Sequence, residues 1–155
     1  MPYQISPLAE VISSIPVLAE WHHREWQHLN SDSYDLEARI HDYRQTALSA
    51  HLPVMYVAHL NDNPLGSARL VKNDMQTHPE LSPWLASLYV HEQYRRQGIA
   101  TALIKSIESA ALERQFRTLY LFTENQQPLY KNLAWQVISE ETYFNEKVTI
   151  MEKKL

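Results

Sequence analysis

Between Gly98 and Arg114 the apolar residues Ile99, Leu103, Ile107 and Ala111 recur every four positions, with Lys105 and Glu108 on other faces. That spacing predicts the clearest amphipathic helix of the chain. Steps of three and four through Leu36, Ile40, Tyr43 and Ala47 predict another helix from about Tyr34 to Ser49, capped by Ser31 or Asp32. An earlier helical stretch, Leu8 to Leu29, is expected to break or bend near Pro16, which has no amide hydrogen to donate. Strand patterns lie around these helices. Tyr3 to Ile5 reads as a short strand, and Pro53 to Ala58 with Leu65 to Val71 reads as a hairpin turning through Asn61 to Pro64. A polar connection, Lys72 to Pro83, leads to the apolar run Trp84 to Val90, which suits a buried central strand ending in the charged loop His91 to Gln97. Thr118 to Phe122 is a second buried strand and Pro128 to Leu133 a short helix. Trp135 to Glu140 and Lys147 to Glu152 form a final strand pair, turning near Phe144 to Glu146.

Strand, helix, strand over residues 84 to 123 implies a parallel pair joined by a right-handed crossover, whereas the flanking hairpins are antiparallel. The expected fold class is α/β (α+β): a mixed, mostly antiparallel sheet with helices on both faces. With 155 residues, 45% of them hydrophobic, one domain over residues 1 to 155 is expected. The longest apolar stretch, near Leu52 to Ala58, falls well short of the roughly 20 residues a membrane-spanning helix requires. The start of the chain lacks the pattern of a secretory signal, so a cytoplasmic location is expected, with no membrane partner.

Composition narrows the chemistry. There is no cysteine, which excludes disulfides, thiolate metal sites and a cysteine-bound acyl intermediate. The net charge of -4 is uneven: residues 1 to 90 hold 10 acids and 5 Lys or Arg, residues 91 to 155 hold 8 and 9. Such an imbalance favours an anionic ligand on the later part and a cationic one on the earlier part. No basic stripe with interleaved aromatics marks a nucleic-acid surface. Of the 8 histidines, His22, His23 and His28 cluster near Glu25, but no His-Glu-x-x-His or similar spacing makes them metal ligands. Trp21, Trp26 and Trp84 are read as core residues, with an acceptor pocket as the alternative.

Glycine is scarce, with only Gly66 and Gly98, so the position of each carries information. Gly98 sits in Arg95-Arg96-Gln97-Gly98-Ile99-Ala100-Thr101, where a strand and loop give way to a helix. Helix starts have unsatisfied amides and a positive dipole end, and a residue without Cβ lets an anion approach them closely. Phosphate is the natural occupant, with Arg95 and Arg96 adding positive charge. The alternative is a glycine that only relieves a tight turn beside solvated arginines.

Arg95-x-x-Gly98-x-Ala100 resembles the coenzyme A signature of the GNAT acetyltransferase superfamily: Gln or Arg, two residues, Gly, one residue, then Gly or Ala. Leu88-Tyr89-Val90 resembles the central strand that precedes this signature, and Leu129-Tyr130-Lys131-Asn132-Leu133-Ala134-Trp135 is similar to the later Leu-Tyr-x-x-x-Gly-Phe segment. The element order from residue 53 to 155 follows the family, and the first 50 residues match it in supplying two helices, the usual acceptor side. Ala134 replaces a common glycine, and Thr123 stands where an asparagine is frequent.

The resemblance implies acetyl-coenzyme A as cosubstrate, no metal, and a splayed parallel strand pair that receives the pantetheine arm. It implies donor-binding roles for Leu88, Tyr89, Val90, Arg95, Arg96, Gln97, Gly98, Ile99, Ala100 and Thr101. It also implies Tyr130 as the general acid that protonates the departing thiolate. The base is open between Glu25, Glu124 and a water-mediated route. Direct transfer of acetyl to a primary amine in a ternary complex is the expected reaction. The acceptor is a small-molecule amine or a peptide or protein amine, and the assembly a monomer or homodimer. The alternative function is a coenzyme A binding or sensing module without turnover.

Overall fold

The computed structural model describes residues 2 to 155, from Pro2 onwards. Seven strands form one sheet: β1 (Gln4–Pro7), β2 (Val54–Leu60), β3 (Asn63–Val71), β4 (Trp84–Val90), β5 (Thr118–Thr123), β6 (Gln136–Tyr143) and β7 (Glu146–Lys154). Their spatial order is β1-β2-β3-β4-β5-β7-β6, antiparallel throughout except for the parallel neighbours β4 and β5. The helices are α1 (Ile15–Trp26), α2 (Leu36–Leu48), α3 (Ile99–Glu113) and the short α4 (Gln127–Lys131). Among the described residues no helix is long and apolar enough to cross a membrane.

Strand alternation divides the core into two layers. Even-numbered Ala68 and Leu70 of β3 join Leu85, Leu119 and Leu121 under the Leu103, Ile107 and Ala111 stripe of α3. On the opposite face Leu18 and Ala19 of α1 and Tyr43 of α2 cover Met55 and Val57 of β2. Fully burying one such Leu or Ile contributes roughly 1.5–3 kcal/mol, so these stripes hold the helices to the sheet. Helices on both faces and one parallel pair agree with the sequence reading.

The sequence reading is corrected at several helix ends. Pro16 does not bend a long helix: it lies in the first turn of α1, where its missing N–H costs nothing, and Leu8–Glu10 and Ile12–Ser14 are separate 3-10 turns. The cap of α2 is Asp35, whose carboxylate accepts from the Ala38 amide at 2.9 Å, and neither Ser31 nor Asp32 fills that place. The last two strands run longer than their apolar cores and join through Phe144 and Asn145, both at positive φ (48° and 64°), as a tight hairpin turn requires.

The middle of the sheet is where the ladder opens. β4 and β5 pair only at Trp84 and Tyr120, and the Tyr120 amide donates to the Pro83 carbonyl at 3.1 Å. Past that point the strands have no ladder between them. On its other edge β4 bulges, since Ala86 to Tyr89 spans the same stretch of β3 as Ser67 to Arg69, and Ser87 turns to φ 55°. A bulge adds local bend and twist to the strand that carries it, here immediately before Leu88.

Candidate active site

A cleft of about 770 Å³ runs along the opened edge of β4 and β5. Leu88, Tyr89 and Val90 line one side and Leu121 to Gln126 the other. Gly98 to Thr101 lie at one end, and Arg39, Arg69 and Asp74 line it as well.

Gly98 is the N-cap of α3, at φ 80° and ψ 6°. A Cβ built there meets no atom within 4 Å, so the glycine leaves open space in front of the helix. No side chain caps this end, and the first intrahelical bond runs from the Ala102 amide to the Gly98 carbonyl. The amides of Ile99, Ala100 and Thr101 therefore have no acceptor within the helix, which is the donor set an oxyanion requires. Arg96 also has positive φ (65°), so the backbone curls twice within three residues.

Not every residue read from the loop acts through its side chain. Ile99 is buried beneath α3, leaving its amide for the cleft. Arg95 donates from Nε to the Val90 carbonyl at 2.8 Å and lies over the Tyr89 ring at 5.7 Å, so it ties the loop to the end of β4. Gln97 is exposed and does not line the cleft, whereas Arg96 is exposed and does.

Tyr130 comes from α4 and lines the cleft with only 6% of its surface exposed, its ring edge-on to Trp135 at 5.9 Å. Burial pushes its phenol above the usual range and keeps it protonated. Glu25 and Glu124 both line the cleft. Glu25 is exposed on α1, and Glu124 accepts from or pairs with His28 Nε2 at 2.8 Å, joining the segment after α1 to the end of β5. Thr123 Oγ1 accepts from the Gln126 amide at 3.0 Å and shapes the turn into α4, while Asn125 is exposed.

Gly66 has its own reason. It pairs with Val90, and a Cβ there lies 2.5 Å from the Tyr89 carbonyl oxygen and 3.1 Å from the Val90 Cα. Only glycine lets β3 approach β4 this closely behind the cleft. Ala134, in the place where the resemblance leads one to expect glycine, adopts φ 72°. The chain keeps the left-handed turn while giving up the residue best suited to it.

Sequence reasoning missed the other wall. Asp74 follows β3 in the polar connection, and burial raises its carboxyl to about 6 against the opposing pull of Arg69. Nothing in the local sequence marks it, because its burial comes from distant elements. His22 is fully buried between Ser67 Oγ at 2.9 Å and the Tyr43 hydroxyl at 2.7 Å. Burial, with the Arg39 and Arg69 charges, holds His22 well below its usual pKa and therefore neutral. Among the described residues no group of three or more His, Asp or Glu is placed to hold a metal. Trp84 is core, Trp26 lines the cleft, and Trp21 packs on His91 at 4.8 Å.

The family profile described as the acetyltransferase (GNAT) family matches residues 15–135, and the chain belongs to that family. It is an acetyltransferase by that membership. Among solved structures it is similar to Salmonella typhimurium yncA with its cofactor acetyl-CoA, at 15% identity and TM-score 0.77, covering 100% of this chain and 95% of that one. It is also similar to an aminoglycoside 6'-N-acetyltransferase complexed with coenzyme A, at 15% identity and TM-score 0.75, covering 97% and 96%. A ribosomal-protein-alanine N-acetyltransferase from Brucella melitensis shares 17% identity and TM-score 0.71, with both chains covered 100%. No curated protein sequence gives a significant match.

Proposed function

We propose that residues 1 to 155 form one N-acetyltransferase domain that moves acetyl from acetyl-coenzyme A to a primary amine by direct transfer. The observation that carries this reading is the open end of α3: three free amides behind a glycine whose missing Cβ leaves room for an anion, next to the splayed strands. The pyrophosphate sits on those amides with Arg96 beside it. Pantetheine lies along the unpaired edge of β4, filling backbone bonds that β5 has left. An amide of the Leu88 to Val90 segment donates to the thioester carbonyl and stabilises the oxyanion.

The amine nitrogen attacks the thioester carbon, a C–N bond forms and the C–S bond breaks. The ammonium proton passes to a cleft carboxylate, and Tyr130 gives its proton to the departing thiolate. Three carboxylates line the cleft: Glu25, Glu124 and Asp74. Asp74, raised to about 6, is poised nearest the operating pH of a general base. Glu124 is engaged by His28, and Glu25 is exposed.

The test couples calorimetry of acetyl-coenzyme A binding with thiol release over a panel of amines. Tyr130→Phe should keep donor affinity and lose kcat by about 10²-fold or more, as expected for a general acid. Retained kcat would remove Tyr130 from the mechanism. Binding without thiol release for any amine would support the non-catalytic module instead.

A further inference from the structure

The cleft wall opposite the phosphate end holds two cations that no carboxylate pairs with directly. Arg39, on α2, is only 4% exposed and lines the cleft, yet its Nε and Nη2 have no hydrogen-bond partner. Its Nη1 donates to the Tyr43 hydroxyl at 3.3 Å, and its guanidinium lies over the Tyr34 ring at 5.0 Å. Arg69, on β3, lines the same cleft, lies over the Tyr43 ring at 5.1 Å, and has a buried Nε with no partner. Among the described residues neither guanidinium comes within 4.0 Å of a carboxylate oxygen.

Arginine stays charged in any protein environment, so burial cannot neutralise this pair as it neutralises His22. Two withdrawn charges without a directly paired anion carry a large desolvation cost. Asp74 feels the Arg69 charge, which opposes the burial that raises its carboxyl to about 6, but it makes no direct ion pair with either guanidinium. Of the acids of the early chain, Glu10, Glu20, Asp32, Asp35, Glu37 and Asp42 are exposed, while Glu25 and Asp74 line the cleft.

Position separates this pair from the donor's phosphates. Arg69 pairs with Ala86, two residues before Leu88, whereas the phosphate loop begins beyond Val90 at the far end of β4. Ser67 and Arg69 alternate onto the face of the sheet that carries α1 and α2, opposite α3. An anion reaching Arg69 must then arrive with the acceptor.

We propose that the acceptor is an amine bearing a carboxylate, which Arg69 grips with Arg39 adding a second positive charge behind it. The inference rests on the acetyl-transfer reading and names its substrate class: amino acids, α or ω, rather than polycationic amines. Guanidinium suits this role because its parallel N–H groups match a carboxylate's two oxygens. The neutral chain from Ser67 through His22 to Tyr43 fixes the ring on which Arg69 lies.

The experiment measures thiol release by the full chain with L-amino acids, ω-amino acids, and the carboxamide of each. Wild type should prefer the carboxylate over the matched carboxamide by roughly 10- to 100-fold in kcat/KM, the range of a charge-assisted hydrogen-bonded contact. Arg69→Gln should lose that preference through KM while acetyl-coenzyme A still binds, and Arg69→Lys should recover part of it. The wild-type comparison needs no variant, so misfolding of Arg69→Gln leaves the question decidable. Equal turnover of carboxylates and carboxamides overturns the proposal while leaving acetyl transfer intact. If neither class is turned over, thermal shift of the coenzyme A complex is read with the same pairs, and equal shifts overturn it as well. Failure to bind acetyl-coenzyme A is a different result, which removes the acetyl-transfer reading itself.

Discussion

Replacing Gly98 by Ala separates two roles that one residue plays. The Cβ would meet no protein atom within 4 Å, so no side chain or strand must move. The backbone at φ 80° is the only source of strain, and a left-handed conformation costs an L-residue about 1–2 kcal/mol. Part of that is offset because Ala has less backbone freedom to lose on folding, leaving a net loss near 1 kcal/mol. For a chain of this size such a loss lowers Tm by about 2–4 °C. The effect on the ligand is larger. The same methyl projects into the space where a phosphate must approach the amides of Ile99, Ala100 and Thr101, and losing one charge-assisted contact of about 1.5–3 kcal/mol weakens binding roughly 10- to 100-fold. Calorimetry of coenzyme A binding beside a thermal melt reads both numbers. A small Tm change with unaltered affinity would show that the diphosphate does not sit on this helix end.

Other positions give sharper signs. Gly66→Ala puts a methyl 2.5 Å from the Tyr89 carbonyl oxygen, so a melt should show a loss of about 1–3 kcal/mol, with weakened acetyl-coenzyme A binding because the β4 edge shifts. Ala134→Gly relieves a residue at φ 72° and should raise Tm by a few degrees; a lower Tm would refute the strain argument. If Asp74 takes the amine proton, kcat/KM should rise as pH passes about 6, and Asp74→Asn should remove that limb of the pH profile. Because burial raises this acid above its ordinary value, its ionisation opposes folding, so above pH 6 Asp74→Asn should melt higher than wild type. His78 is raised by its bonds to Glu80 and Glu141, so its contribution is complete below the ordinary histidine value near 6.5 and fades as pH climbs through the higher folded one. Melts of wild type and His78→Gln should therefore converge on going from pH 6 to pH 8.

The sequence made the α3 side of the molecule legible because its information is local. A four-residue apolar step and one glycine at a helix start specify both a buried stripe and an exposed set of amides. The acceptor side is different. Whether Asp74 is solvated or confined, and whether Arg39 has a counter-ion, depends on elements distant in the chain, and no spacing rule reports it. Helix ends failed for a smaller reason: Ser31, Asp32 and Asp35 are all chemically able to cap, and only the backbone path selects Asp35. The bulge at Ser87 was equally hidden, since serine does not advertise a positive φ. Trp84 to Val90 reads as an unbroken strand although its register slips there.

The lone backbone link between Trp84 and Tyr120 makes this sheet two ribbons stitched at a single point, with a helix clasping them from beneath. On the proposed reading, a pantetheine arm laid into the seam would act as an eighth, non-peptide strand. Occupancy by donor is then a matter of architecture as well as chemistry. Amide hydrogen exchange along both lips of the seam should slow when the cofactor is in place, and the ribbons should regain independence each time the spent thiol departs.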